Sequence, residues 1–157
     1  MTITFDASKL LDEVGCAILL ALQQNARIPF SELGRQVGLS APAVAERVRR
    51  LEDTGIIQAY RAQVDPAALG FGLQAYIRLS IRYGRCEMFT ADIGKMPSIL
   101  SAERVTGEDC YVLRVAVRDV AHLEATINSL NSYGEPVTSL ILSAAGGYRP
   151  LMPLPSL

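Results

Sequence analysis

The chain has 157 residues, with 15 Lys and Arg against 16 Asp and Glu, a formal charge of −1 and an apolar fraction of 50%. With only 20% of residues charged, a disordered acidic or basic tail protein is excluded, because such chains lack the apolar surface to offset ordering entropy. The longest apolar run, Cys16 to Leu22, falls far short of the ~18 residues that span a bilayer. Met1 to Lys9 shows no basic segment ahead of an apolar one, so neither a membrane partner nor an export signal is expected. The three cysteines form no Cys-x-x-Cys pair, which fits free thiols in the cytoplasm rather than a disulfide framework or a metal site. No cofactor is expected, since there is no glycine-rich phosphate loop and no zinc or serine-hydrolase motif. Charge balance removes any whole-chain attraction to nucleic acid, so DNA binding must come from a local patch.

Leu11, Val14, Ile18 and Leu22 recur at three- and four-residue steps, the spacing of one apolar helical face. Asp12 is placed to cap that helix. A second, short helix fits Pro29 to Val37, with the proline near its first turn, where a missing N–H costs nothing. Gly38 supplies a left-handed stop. Ser40 is a good N-cap for a third helix, which runs to about Thr54 and is closed by Gly55. Only Gly38-Leu39-Ser40 separates the second and third helices, so residues 1–59 read as a tri-helical unit ending in a helix–turn–helix, winged-helix-like in character.

Tyr60 to Leu73 contains a Pro and a Gly and reads as a linker strand and loop. Gln74 to Arg82 then alternates as a strand, with Ala75, Ile77, Leu79 and Ile81 on one face. Met88 to Met96 is helical. Ile99 to Thr106 and Cys110 to Val117 are strands joined around Gly107-Glu108-Asp109. Asp119 caps a helix with Val120, Leu123, Ile127 and Leu130 on its inner side, and Val137 to Ala145 is a last strand. The order β-α-β-β-α-β is the ferredoxin-like split arrangement, which makes residues 74–157 a second domain and the whole chain α+β. Helices on one sheet face leave the other bare, so a homodimer is the minimum assembly expected. Pro150, Pro153 and Pro155 suggest an extended tail that drapes on a neighbour.

At about 100° per residue, Val44, Val48 and Leu51 fall on one stripe of the third helix. Pro42, Ala43, Glu46, Arg49 and Arg50 lie opposite, with Arg47 on the flank. Small residues at the helix start (Ser40, Ala41, Pro42, Ala43) allow close entry into the ~12 Å major groove. The arginines one to two turns on can reach guanine edges or phosphates. Between residues 35 and 50 there are four arginines and one acid, which makes the patch positive. The plain alternative is an exposed helix face solvated by its charges.

The stretch from Leu22 to Arg27, then Gly38-Leu39-Ser40, Val44 to Glu52 and Gly55-Ile56-Ile57, resembles the helix–turn–helix of the Lrp/AsnC family, the feast/famine regulators. The likeness continues through Tyr60 to Pro66 and Leu69-Gly70 into Val105-Thr106-Gly107 and Tyr111 to Val115, the hallmark of that family's effector-binding RAM domain. Three positions depart from the family pattern. Gly15 replaces an Asp and loses its side-chain contacts, Pro29 replaces a Ser-type cap, and Cys110 stands where an Asp is common.

The resemblance implies a sequence-specific transcription regulator of double-stranded DNA, cytoplasmic and associated with the nucleoid, not an enzyme. It implies a sheet-backed homodimer assembled into tetramers or octamers. A small amino-acid effector would bind at interfaces between dimers, around Thr106, Gly107, Glu108, Asp109 and Cys110, with Thr138, Ser139 and Leu140 as neighbours. Backbone N–H groups near Gly107 can hold a carboxylate, while Glu108 or Asp109 can accept an ammonium. The plain alternative is a hairpin turn with solvated acids. Two other functions remain compatible with the architecture: a low-specificity protein that wraps DNA, and a sirohaem-decarboxylase-like enzyme. The second is disfavoured by a single histidine, His122.

Overall fold

The computed structural model describes residues 10–153 and divides into two compact units. One is Gln63–Gly146; the other runs up to Ala62 and takes in the chain again from Gly147.

In the first unit α1 (Glu13–Gln24), α2 (Phe30–Val37) and α3 (Ala41–Asp53) enclose Ile18, Leu22, Leu33, Val44, Val48 and Leu51. Each boundary has a local cause. The Asp12 carboxylate accepts the Gly15 N–H at 2.7 Å at the start of α1, and the Ser40 hydroxyl accepts the Ala43 N–H at 3.4 Å at the start of α3. Such side-chain caps satisfy N–H groups that have no partner inside the helix. Pro29 precedes α2 as its cap residue, one position outside the first turn expected for it, and its carbonyl accepts the Glu32 and Leu33 N–H groups.

Two glycines in this unit are required by space. A Cβ at Gly34 would lie 2.4 Å from the Leu39 carbonyl oxygen, so the tight α2–α3 turn closes only over a glycine. A Cβ at Gly15 would lie 1.8 Å from the Leu10 carbonyl oxygen. This corrects the expectation that Gly15 merely removes side-chain contacts: the chain entering α1 passes where a side chain would sit.

In the second unit β1 (Leu73–Ile81), β2 (Ile99–Arg104), β3 (Tyr111–Val117) and β4 (Gly134–Leu140) form one antiparallel sheet in the order β2-β3-β1-β4. With α4 (Cys86–Asp92) and α5 (Val120–Leu130) it makes the expected βαββαβ order. Ala75, Ile77 and Leu79 of β1 and Leu113, Val115 and Val117 of β3 share a buried face with Phe89, Leu123 and Leu130. The Phe89 ring meets Tyr111 and Tyr133 edge-on, at centroid distances of 4.9 and 5.4 Å.

Several elements depart from the sequence expectation. The helix expected over Met88 to Met96 starts at Cys86, ends at Asp92 and tightens into a 3₁₀ turn over Ile93–Lys95. β2 ends at Arg104 and β3 begins at Tyr111, which lengthens the hairpin loop by two residues before it and one after. β4 begins three residues before Val137 and stops at Leu140, not Ala145. Pro136 hid its start, because a proline reads as a strand breaker. Here Pro136 pairs with Leu79 on an edge strand, where its missing N–H leaves no ladder bond unmade. Val120 is exposed, and Thr126 takes the inner position instead, its hydroxyl satisfied by the His122 carbonyl at 2.9 Å. Residues 58–65 pair in no strand among the described residues, and Ala67–Leu69 form a 3₁₀ turn ending at Gly70 (φ +86°).

The segment from Gly147 groups with the helical unit rather than with the sheet it follows. The Gln23 amide holds the Leu151 backbone on both sides, donating to its carbonyl at 2.8 Å and accepting its N–H at 2.8 Å. The Tyr148 hydroxyl donates to the same Gln23 oxygen at 3.2 Å. Pro155 lies outside the described residues.

Candidate nucleic-acid interface and effector loop

Val44, Val48 and Leu51 anchor α3 in the helical core, which turns the other side of the helix outward. Ser40, Pro42, Arg49 and Arg50 are exposed on that side, while Ala41, Ala43, Glu46 and Arg47 are half-buried. The expected face therefore exists, but its arginines are not alone. Arg49 donates from Nε and NH2 to the two oxygens of Glu46, at 3.1 and 2.9 Å, and from NH1 to Asp53 at 2.9 Å. Arg50 donates from Nε to Glu46 at 2.9 Å. Both arginines hold the Glu46 carboxyl below the usual carboxylate range, Arg49 contributing first, and Glu46 in turn raises Arg49.

Arg47 has a different role. Its two terminal amines bind the two oxygens of Asp12 at 2.8 and 2.9 Å, a fork that joins α3 to the cap of α1. Arg47 was expected on the DNA-binding face, and the structure turns it to its own subunit. Arg35 pairs with Glu32. Between residues 10 and 62 six arginines stand against six acids, so the positive count over residues 35 to 50 vanishes once the flanking carboxylates are included. Asp12, Asp53 and Glu32 are the contributors that sequence reasoning passed over. Their i,i+3 and i,i+4 spacing to the arginines was the available signal for Glu32 and Asp53.

The loop from Thr106 to Cys110 closes the β2–β3 hairpin. Gly107 has φ +115°, a conformation open to glycine and strained for other residues, while the Val105 N–H reaches the Cys110 carbonyl at 3.1 Å. Thr106, Gly107 and Glu108 are exposed. Asp109 is engaged, accepting the Ser80 hydroxyl at 3.3 Å and lying 3.8 Å from Arg78 NH1. The Cys110 sulfur accepts the Ile81 N–H at 3.3 Å, and the Cys110 N–H donates to the Leu79 carbonyl. Arg78 and Ser80 thus belong to this loop's surroundings, which sequence reasoning did not find. Their signal was the β1 alternation, which puts both on the face away from the helices.

Thr138, Ser139 and Leu140 do not join the loop within one chain. Tyr111 is level with Leu79 and Pro136, and Thr138 is level with Ile77. Cys110 and Thr138 are therefore three register positions apart, roughly 10 Å along the sheet, with β1 between their strands. Tyr76, Arg78 and Val137 are exposed on the face away from the helices.

A three-helix DNA-reading unit followed by a βαββαβ ligand-binding unit defines a two-part transcription regulator, and comparison with known proteins agrees. Residues 11–52 match the AsnC-type helix-turn-helix domain, and residues 74–147 match the Lrp/AsnC ligand binding domain. The chain is 37% identical to the HTH-type transcriptional regulator AldR of Mycolicibacterium smegmatis over 90% of this chain and 86% of that one. The solved structure of LrpC from Bacillus subtilis is similar at TM-score 0.83 and 33% identity, covering 88% of this chain and 99% of that one. The transcriptional regulator NMB0573 of Neisseria meningitidis, solved with L-methionine, gives TM-score 0.84 at 33% identity, covering 90% and 96%. The chain belongs to the Lrp/AsnC family of transcriptional regulators.

Proposed function

We propose that this regulator reads DNA with the outward face of α3, entering the major groove at Ser40–Ala43 and reaching base edges with Arg50. The observation that carries this reading is that Arg50 keeps both terminal amines free among the described residues while its Nε is fixed by Glu46. A fixed guanidinium with two free amines suits the O6 and N7 acceptors of guanine. Two copies of the chain would place two α3 helices at half-sites one helical turn apart, ~34–36 Å. The bare sheet face supports a homodimer, which would extend to tetramers or octamers in the cytoplasm, on the nucleoid.

The effector is an amino acid or a close analogue, held at the Thr106–Cys110 loop. Glu108 is the carboxylate without a side-chain partner among the described residues, and so is the one open to an ammonium there, since Asp109 is already tied to Ser80 and Arg78. Thr138–Leu140 would be supplied by a neighbouring subunit. A wrapping protein is disfavoured by the balanced charge of the helical unit, because wrapping rests on phosphate contacts. An enzymatic role is disfavoured by the relatives, which are named transcriptional regulators.

Gel shift with promoter DNA tests the groove face. Arg50→Ala should weaken binding by roughly 1–3 kcal/mol, and unchanged affinity removes that assignment. Thermal-shift screening of the twenty amino acids tests the loop, since a ligand at a hundredfold excess over Kd stabilises by about 2.7 kcal/mol. No response to any of them removes the twenty amino acids as the effector.

A further inference from the structure

The helix that carries the recognition face is electrically neutral: Arg47, Arg49 and Arg50 stand against Glu46, Glu52 and Asp53. The two arginines of that face are also held unequally. Arg49 is engaged through Nε, NH1 and NH2, by Glu46 on one side and Asp53 on the other. Among the described residues Arg50 is engaged through Nε alone. One carboxylate, Glu46, sits between them and accepts from both. It is half-exposed, so it makes these bonds at the surface that meets the duplex.

We propose that Glu46 is a specificity-determining positioning residue, which withholds Arg49 from the phosphate backbone and aims the outer amines of Arg50 at base edges. The inference deepens the reading of α3 as the DNA-recognition helix and rests on it. Phosphate contacts supply affinity without sequence information, and each one adds to the salt dependence. A carboxylate on the recognition face repels every phosphate equally, and so lowers binding to all sequences alike. The penalty is recovered only where a base accepts from Arg50. Exposed ion pairs are individually weak, so Arg49 is restrained by two carboxylates acting together, and removing the charge of Glu46 leaves Asp53 alone to hold it.

The test uses the full chain and two labelled duplex pools, one selected by the wild-type protein from a random library and one unselected. Affinity is measured by anisotropy across a salt series. Glu46→Gln keeps the size of the side chain and removes its charge. It should bind the unselected pool several-fold more tightly, with a log–log salt slope steeper by about one, and should lose about tenfold in the ratio of selected to unselected affinity. Arg50→Lys, which keeps charge but loses the fork, should lower that ratio while leaving the unselected pool unchanged. Arg49→Lys should leave the ratio intact. An unchanged ratio and slope in Glu46→Gln overturns the proposal, and equal effects of the two lysine variants overturn the division between the arginines. A wild-type protein that enriches no sequence at all overturns the recognition reading itself, and is told apart because it fails before any variant is made.

Discussion

The two units settle their polar groups at different ranges. In the helical unit most ion pairs join residues three or four apart on one helix, as in Glu32–Arg35, Glu46–Arg49, Glu46–Arg50 and Arg49–Asp53. Among the described residues the Asp12–Arg47 fork is the exception that ties two helices together. In the sheet unit the Lys95–Asp92 pair is local too, but other polar links cross between elements: Arg78 to Asp109, Arg114 to Gln74, and the Tyr133 hydroxyl to Asp92 at 3.0 Å. The sheet unit also sets two tyrosine rings edge-on around Phe89, whereas the helical core is wholly aliphatic among its buried residues. Local pairing makes a unit whose surface charges can exchange partners without disturbing its core. Pairing between elements makes one whose surface charges depend on the register of neighbouring strands.

The largest effect should come from the centre of the sheet unit. Phe89 is fully buried, and Phe89→Ala removes both edge-on contacts and leaves a cavity, which costs roughly 3–5 kcal/mol. Urea unfolding followed by tyrosine fluorescence should show this loss. A loss below about 1 kcal/mol would mean that the aromatic cluster does not organise this core.

Gly34→Ala sharpens the contrast from the helical side. In an open helix alanine is favoured over glycine by about 1 kcal/mol. At Gly34 the new Cβ would press on the Leu39 carbonyl at 2.4 Å, so the sign should reverse, with a loss of about 1–3 kcal/mol. Gly94→Ala is the control, since a Cβ there meets nothing within 4 Å. Thermal melts of the two variants should move in opposite directions or differ by several degrees.

These contrasts explain which parts were legible in the sequence. The helical unit was read almost to the residue, because Asp12, Ser40, Gly38 and Gly55 act within a few positions of where they stand. The sheet order was legible through alternation in β1 and β3. The start of β4 was not, because Pro136 is harmless only on an edge strand, and edge position depends on the whole sheet. The candidate site was legible in its members but not in their pairing. Arg47 sits on the α3 surface in any helical projection, and only the folded position of Asp12, 35 residues away, turns it inward. Likewise Thr138–Leu140 and the Thr106–Cys110 loop are separated by β1, a separation set by strand order alone.

The Asp12–Arg47 fork carries a pH dependence. The Arg47 hydrogen bonds, and then the Gly15 N–H, hold the Asp12 carboxyl below its ordinary value of 3.8. A carboxyl lowered on folding contributes stability above its unfolded pKa and loses it as pH falls through the folded value. Asp12→Ala should therefore cost about 1 kcal/mol at pH 7, mostly through the lost cap, the exposed ion pair adding little. The difference from wild type should shrink as pH falls below about 4. Asp12→Asn, which keeps a capping oxygen, should retain most of the stability at pH 7. Urea unfolding at pH 7 and pH 3 checks both, and a difference independent of pH would place Asp12 outside the linkage.

The smallest effect on stability should come from Gln23, whose amide holds the Leu151 backbone like a single rung of a sheet. Gln23→Ala removes that rung and the Tyr148 contact at an exposed site, where loss of hydrogen bonds costs well under about 1 kcal/mol because water replaces them. The melting temperature should barely change. The local consequence is larger, because a peptide bond is cut when its segment opens. Arg149 lies between Tyr148 and Leu151, the two residues that Gln23 holds, but it is followed by Pro150, which blocks trypsin. Chymotrypsin at Tyr148 is therefore the suitable probe, and its cleavage there should accelerate several-fold in Gln23→Ala. Equal rates in the two proteins would mean that Gln23 does not hold this segment in solution.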